Sequence, residues 1–162
     1  MSMIMNYLKL GPAELRQAIS DPEWAYDLAL SIEEADDAGD RIFDIDKSWQ
    51  ILELILEQVG VNPAAIRGDY PLPSAGDWGY GQPQVIEPDT ARQVTLQLSR
   101  LDFDEAMTSI DLDSLTNQEV YALDVLTAPD MGRAYLAHHY NVLKEQFEDA
   151  STSSSGFVIW IA

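Results

Sequence analysis

The segment from Asp44 to Gly60 constrains the fold most, because it has the clearest helical pattern in the chain. At about 100° per residue, its apolar side chains fall on one broad arc and most of its polar side chains gather opposite. The arc consists of Trp49, Ile51, Leu52, Ile55, Leu56 and Val59, and the polar side of Lys47, Gln50, Glu53, Glu57 and Gln58. So wide an apolar face predicts a helix that packs in the core.

The two ends of this helix carry local signals. Asp44 and Asp46 are expected to cap its first N–H groups, and Gly60 suits a left-handed residue just past its end. The same two carboxylates, with Lys47 beside them, could instead hold a metal ion or act in acid–base chemistry. The sequence leaves both interpretations of the helix start open.

Two apolar segments predict the main strands of a small sheet. Ser2–Leu10 alternates imperfectly and stops at a Gly-Pro pair, and Phe157–Ile161 is an uninterrupted aromatic and β-branched run. A run of the second kind is typical of a strand buried on both faces, which needs neighbours. We therefore expect these two strands to lie side by side, with Gln84–Glu87 as a third short strand.

Helical periodicity and caps predict further helices, which make the chain a single α+β domain over residues 1–162. They are Ala13–Ser20 after Pro12, Pro22 to about Ala35, Asp89–Arg100, a helix headed by a capping box from Thr116 to Glu119, and a long helix from Pro129 or Asp130 to Phe147. Leu101–Asp104 is interpreted as a break, and Glu148–Gly156 as a polar connector. The predicted architecture is several helices packed around a small sheet.

Charge and composition exclude several classes of protein. The formal net charge is −19, from 9 Lys and Arg against 28 Asp and Glu, and scattered bases cannot neutralise nucleic-acid phosphates. No apolar run approaches the ~20 residues of a membrane helix, no signal peptide is evident and there is no cysteine, so a cytoplasmic protein is expected. The acidity either maintains solubility or provides a face for a basic partner.

A loop rich in glycine, proline and aromatic residues follows the central helix, from Asp69 to Pro83. Its centre, Gly76–Gly81, combines Asp77, Trp78 and Tyr80 with three glycines. One interpretation is a packed loop whose glycines adopt positive φ, and the other is a surface for a partner or ligand. The spacing lacks the Lys and Ser or Thr that complete a phosphate-binding loop.

His138 and His139 are the only histidines. Adjacent helical residues point about 100° apart and cannot chelate one metal together, so both are interpreted as structural. No nucleophile motif accompanies them. No metal and no cofactor is therefore predicted.

Three segments resemble the YfbM-like family, small bacterial proteins known as a domain of unknown function. They are Met3–Tyr7, the helix opening Asp44–Trp49, and the turn Gly79–Pro83 that leads to Glu87 and Pro88; the segment Phe157–Ile161 also fits the family's final strand. The resemblance implies one α+β domain and carries no established activity. It also implies a His near positions 53 and 54, where this chain has Glu53 and Leu54.

The leading functional hypothesis is a non-enzymatic cytoplasmic binding or regulatory protein that engages a basic protein partner, as an immunity or antitoxin-like protein would. The alternative is a small enzyme that uses Asp44, Asp46, Asp77 and Tyr80 in one cleft. A third possibility is that exposed aromatic residues form a homodimer contact. The candidate binding residues are Asp44, Asp46, Trp49, Asp77, Trp78, Tyr80 and Gly81.

Overall fold

A computed structural model describes residues 2–35, 39–111, 114–115, 117–124 and 131–162. The strands are β1 Met5–Leu10, β2 Ile42–Asp44, β3 Tyr70–Pro71, β4 Gln84–Ile86 and β5 Gly156–Ile161. The helices are α1 Pro12–Ser20, α2 Pro22–Glu34, α3 Trp49–Gln58, α4 Ala64–Arg67, α5 Pro88–Ser99, α6 Phe103–Thr108 and α7 Met131–Thr152. A short 3₁₀ turn, Asp46–Ser48, precedes α3.

All five strands join one antiparallel sheet in the order β2-β1-β5-β4-β3. β1 and β5 pair along their whole length, with Met5 opposite Ile161 and Leu10 opposite Gly156. The predicted neighbourhood of these two strands is confirmed, as is the α+β class. β5 lies at the centre because an unbroken apolar strand loses least when both of its faces are covered.

Each face of the sheet has its own helical layer and its own core, because successive side chains of a strand point to opposite faces. Tyr7 and Phe157 lie in the larger core, which α3, α5, α6 and α7 cover. Leu8 and Val158 lie in the smaller core, which α1, α2 and the β3–β4 loop cover. Buried Lys9 on β1 forms an ion pair with Asp149 of α7, which fixes the long helix to the sheet.

The central helix keeps its predicted apolar arc but not its predicted start. Ile51, Leu52, Ile55 and Leu56 are buried, and Gly60 has the expected positive φ of 81°. Asp44, however, ends β2, where it pairs with Asn6 of β1, so α3 begins only at Trp49. The helix-start prediction was wrong because pairing with a distant strand outweighed the local signal.

Two other differences concern helix bounds. Helix α6 occupies part of the predicted break, and its cap is Asp102, which accepts a hydrogen bond from Glu105 N at 3.1 Å. Helix α7 extends to Thr152 through the predicted connector. The capping box at Thr116 and the long helix's predicted start at Pro129 or Asp130 lie outside the described residues.

In the described part of the chain, no helix combines the length and apolarity needed to cross a bilayer.

Candidate functional site

The loop between β3 and β4 is an ordered structure held by its own aspartate. Asp77 Oδ1 accepts hydrogen bonds from Gly79 N at 2.7 Å and Gly81 N at 3.1 Å. These two backbone donors lower the pKa of Asp77 below its ordinary value, because they favour the charged carboxylate. Gly79 and Gly81 have positive φ of 153° and 115°, as the packed-loop interpretation expects, whereas Gly76 does not have a positive φ.

The loop is fixed to the central strand. Tyr80 N donates to Ile161 O at 2.8 Å, and a Cβ on Gly79 would lie 2.5 Å from that same oxygen. Only a glycine allows so close an approach of the loop backbone to β5. The side chains of Trp78 and Tyr80 are therefore presented from a rigid support.

Trp78 forms the middle of a row of three aromatic rings on the α1–α2 face of the sheet. Its ring centroid lies 5.2 Å from Tyr26 of α2 and 5.4 Å from Trp160 of β5, both in edge-to-face geometry. Tyr26 is 41% exposed, and Trp78 is half-buried. The row thus ends in a fixed aromatic surface open to solvent.

Carboxylates surround this row, and we call the whole the acidic aromatic surface: Glu23, Tyr26, Asp27, Leu30, Glu33, Asp77 and Trp78. Two depressions, of about 430 and 370 Å³, are both lined by Tyr26 and Trp78. Neither is lined by a Lys or Arg, and all of their lining residues are described. The surface consequently combines exposed apolar area with one sign of charge.

A different cleft, which we call the Glu53 cleft, opens on the other face at the end of the sheet. It measures about 380 Å³ and lies between α3, α4, β5 and the β3–β4 loop. Its lining residues are Met5, Trp49, Glu53, Ile66, Arg67, Tyr80, Gln82, Gln84, Ile159, Trp160 and Ile161. Trp49 and Tyr80, two of the residues predicted to bind, therefore both line this cleft.

Glu53 was placed on the polar side of the central helix, yet the structure buries it. It is only 6% exposed, and its Oε1 accepts from Arg67 Nε of α4 in an ion pair. Its charge adds to complete burial in raising the pKa of the Tyr7 hydroxyl above its ordinary value, burial being the larger cause. Helical periodicity placed Glu53 among polar residues, but α4, which supplies its partner Arg67, comes from a later part of the chain.

Asp44 and Asp46 form a third group, in the turn before α3. Asp44 Oδ1 accepts from Asp46 N at 3.0 Å, and Asp46 Oδ2 accepts from Tyr135 Oη of α7 at 2.9 Å. No side chain caps α3 itself, so the two acids stabilise the turn instead of the helix. Burial, and secondly the bond to Asp46, raise the pKa of the Tyr135 hydroxyl.

The predicted site residues therefore lie in three places. Asp77 and Trp78 belong to the acidic aromatic surface, with Gly81 in the same loop, whereas Trp49 and Tyr80 line the Glu53 cleft. Asp44 and Asp46 belong to the turn that binds Tyr135. The four residues of the enzyme alternative are thus divided among these places. In the described ranges, no group of three or more His, Cys, Asp or Glu side chains could hold a metal ion.

Sequence reasoning missed Tyr26, Glu53 and Arg67. Tyr26 lies in α2 and meets Trp78 only through the fold, so nothing in its own segment marks it. A signal for Glu53 did exist, since it is flanked by Leu52 and Leu54 within an apolar helix. A carboxylate buried among apolar residues is stable only with a cationic partner, and Arg67 is that partner.

His139 of α7 is a half-buried residue whose protonation opposes folding. Its Nδ1 is enclosed without a hydrogen-bond partner in the described part of the chain, and its ring lies 4.6 Å from that of Tyr135. Burial, then the neighbouring His138, lower the pKa of His139 from its usual 6.5, against smaller opposing contributions from Asp46 and Asp44.

This lowered pKa predicts a pH dependence of stability. In the unfolded chain His139 takes up a proton near its ordinary pKa of about 6.5, whereas in the folded chain it does so only at lower pH, so stability falls as the pH drops through this range. Urea midpoints at pH 7.5 and 5.5 measure the slope. The loss on acidification should be smaller in His139→Gln than in the natural sequence, and an equal loss would contradict the assignment.

The fold and these sites define a single-domain α+β protein with one antiparallel sheet between two helical layers. The chain belongs to the family described as Domain of unknown function (DUF1877), whose model matches residues 1–160. The sequence resemblance to YfbM-like proteins is confirmed by that match.

Among solved structures, the chain is similar to a protein of unknown function, YfbM from Escherichia coli. The TM-score is 0.66 at 14% sequence identity, and the match covers 99% of this chain and 100% of that chain. At this identity the similarity shows a shared fold alone. No curated protein matches the chain.

Proposed function

We propose that this is a non-enzymatic cytoplasmic binding protein whose acidic aromatic surface engages a basic protein partner. The observation that carries the proposal is the Tyr26–Trp78–Trp160 row, a fixed and partly exposed aromatic platform bordered by carboxylates without a Lys or Arg among its lining residues. Aromatic side chains already held in place lose little conformational freedom on binding and are frequent hot spots of interfaces.

The charge of the whole chain supports the same partner. A net charge of −19 attracts a basic protein at long range and repels nucleic acid, which raises the association rate for the first and opposes the second. A regulatory role of the immunity or antitoxin type follows naturally, because an acidic protein can block a basic active surface without chemistry of its own. Self-association through this surface is disfavoured, since two copies would bring carboxylates together.

The test is affinity capture from the source organism, followed by reconstitution with the purified partner. A basic protein should bind, and Trp78→Ala should weaken the purified complex at least about 10-fold, as expected for an aromatic hot spot. Asp27→Asn, which keeps the side-chain shape, should lower the association rate and its salt dependence. Leu96→Ala, at an exposed residue of α5, is the matched control and should bind normally.

Two outcomes would contradict the proposal. One is a purified partner that binds Trp78→Ala and the natural sequence equally well. The other is a partner without excess positive charge whose association rate does not depend on salt. Light scattering of the protein alone tests the alternative of a homodimer contact. A homodimer formed through this surface would have twice the molar mass of the chain, and Trp78→Ala would dissociate it.

A further inference from the structure

The Glu53 cleft has the build of a small-ligand site. Its volume of about 380 Å³ lies in the range of ligand pockets, and most of its wall is apolar. Met5 and Ile159 come from the sheet and Ile66 from α4, while Trp49 and Tyr80 supply aromatic rings. Most of its lining residues lie on the opposite face of the sheet from the acidic aromatic surface, although Trp160 contributes to both, and the inference does not rest on the proposed function.

Within this apolar wall, Glu53 offers a carboxylate oxygen that remains free. Oε1 accepts from Arg67 Nε, whereas no residue in the described part of the chain donates a hydrogen bond to Oε2. The Glu53 side chain is only 6% exposed, so its carboxylate has lost much of its hydration, and Oε2 can accept from a charged donor placed in the cleft. The cleft therefore selects for positive charge.

Arg67 shows that the site accepts a cation. Its side chain is 66% exposed while that of Glu53 is 7% exposed, so the guanidinium reaches the buried carboxylate from the mouth of the cleft. Because only Nε bonds to Glu53, the pair leaves one acceptor oxygen for a second donor. A ligand cation can share the carboxylate, or take the place of Arg67, whose guanidinium already reaches solvent, so that Glu53 keeps a cationic partner.

The aromatic walls favour the same charge. The ring of Trp49 is fixed, because its Nε1 donates to Met3 O at 3.0 Å and the ring stacks on Tyr121 with centroids 5.7 Å apart. Tyr80 is 45% exposed and faces the same cleft from the loop. The π-faces of such rings attract guanidinium and ammonium groups.

We propose that the Glu53 cleft binds a guanidinium or primary ammonium group carried on an apolar stem, with the cation at Glu53 and the stem between Trp49, Ile66 and Ile159. A free amine or guanidine and an arginine or lysine side chain of a peptide share this chemistry. An anion is disfavoured by the buried carboxylate and by the net charge of −19.

Calorimetric titration with three probes of similar shape tests the proposal on the natural sequence. Butylguanidinium should bind with a dissociation constant of about 1 mM or lower, and at least about 10-fold more tightly than neutral butylurea or anionic pentanoate. Equal binding of butylurea, tighter binding of pentanoate, or no binding of butylguanidinium would each overturn it.

Two variants are expected to change the affinity for butylguanidinium in opposite directions, which distinguishes a cation site from an anion or zwitterion site. Glu53→Gln keeps the side-chain shape and should weaken butylguanidinium binding at least about 10-fold. Arg67→Ala removes the internal competitor and should strengthen it, whereas an anion or zwitterion site would lose affinity. Glu57→Gln, one helical turn along at an exposed position, is the control and should bind normally.

Thermal unfolding of each variant shows that it is folded before its titration is interpreted. If a variant does not fold, the comparison of the three probes on the natural sequence still decides the matter. The blocked peptide acetyl-Ala-Arg-Ala-amide then distinguishes the two sources. Tighter binding of the peptide than of butylguanidinium assigns the cleft to an arginine side chain, and weaker binding assigns it to a free cation; both support the cation site.

Discussion

Replacing Phe157 with alanine is expected to lower the free energy of unfolding by about 3–5 kcal/mol. Phe157 is fully buried in the larger core, and its ring centroid lies 4.9 Å from Phe147, 5.8 Å from Tyr7 and 5.9 Å from Phe43. The truncation removes apolar burial and leaves a cavity among rings that cannot close over it, since each belongs to a different packed element.

Urea unfolding followed by circular dichroism measures this loss as a lower transition midpoint. Leu96→Ala, at a residue that is 54% exposed on α5, removes a large apolar side chain from the surface instead of the core and should change stability by less than about 0.5 kcal/mol. A loss below about 1 kcal/mol for Phe157→Ala would contradict its place at the centre of the core.

Replacing Gly156 with alanine is expected to destabilise the protein at or above the upper end of the about 1–3 kcal/mol typical of overpacking. A Cβ there would lie 2.3 Å from Ile86 O, 2.9 Å from Leu15 Cδ2 and 3.2 Å from Pro88 Cδ. Leu15 can change its rotamer, but the oxygen of Ile86 belongs to the backbone of the adjoining strand β4. Relief therefore requires β5 to move away from β4.

Gly76→Ala is the matched control, because a Cβ at that position meets no heavy atom within 4 Å. It should change the free energy of unfolding by no more than about 0.5 kcal/mol. Differential scanning calorimetry of both variants gives the comparison. Equal melting temperatures for Gly156→Ala and Gly76→Ala would show that β5 does not approach β4 as closely as described.

Local patterns predicted the parts of the fold that local interactions determine. The apolar arc of α3, the apolar run of β5 and the proline that opens α5 are each readable within one segment. The neighbourhood of β1 and β5 was also predictable, because the chain offers few other strands strong enough to cover a buried one.

Contacts between distant segments explain what the sequence did not show. β2 has only three residues, Ile42–Asp44, too few for a periodic signal, and it is a strand only because β1 lies beside it. Glu53 is a polar residue on the polar side of an amphipathic pattern, but it is buried and pairs with Arg67 of α4. Periodicity describes one helix and contains no information on what packs against it.

In the candidate sites, too, some features could be predicted from local sequence and others depend on contacts between distant segments. Composition alone singled out the loop with Asp77, Trp78 and Tyr80. That Trp78 and Tyr80 serve different faces of the sheet could not be predicted, since it depends on where the loop crosses the end of β5. Tyr26 belongs to the acidic aromatic surface only because its ring contacts that of Trp78, which lies in the β3–β4 loop and not in α2.

Strand β5 supplies both cores at once, with Phe157 and Ile159 in the larger and Val158 and Trp160 in the smaller. Any opening that releases β5 exposes both layers together, so the two cores form one cooperative unit, and β5 amide protons exchange with solvent only when the whole molecule opens. β1 and β5 pair with each other although most of the sequence separates them. Their pairing is therefore expected to form late in folding, because it requires the closure of a long loop.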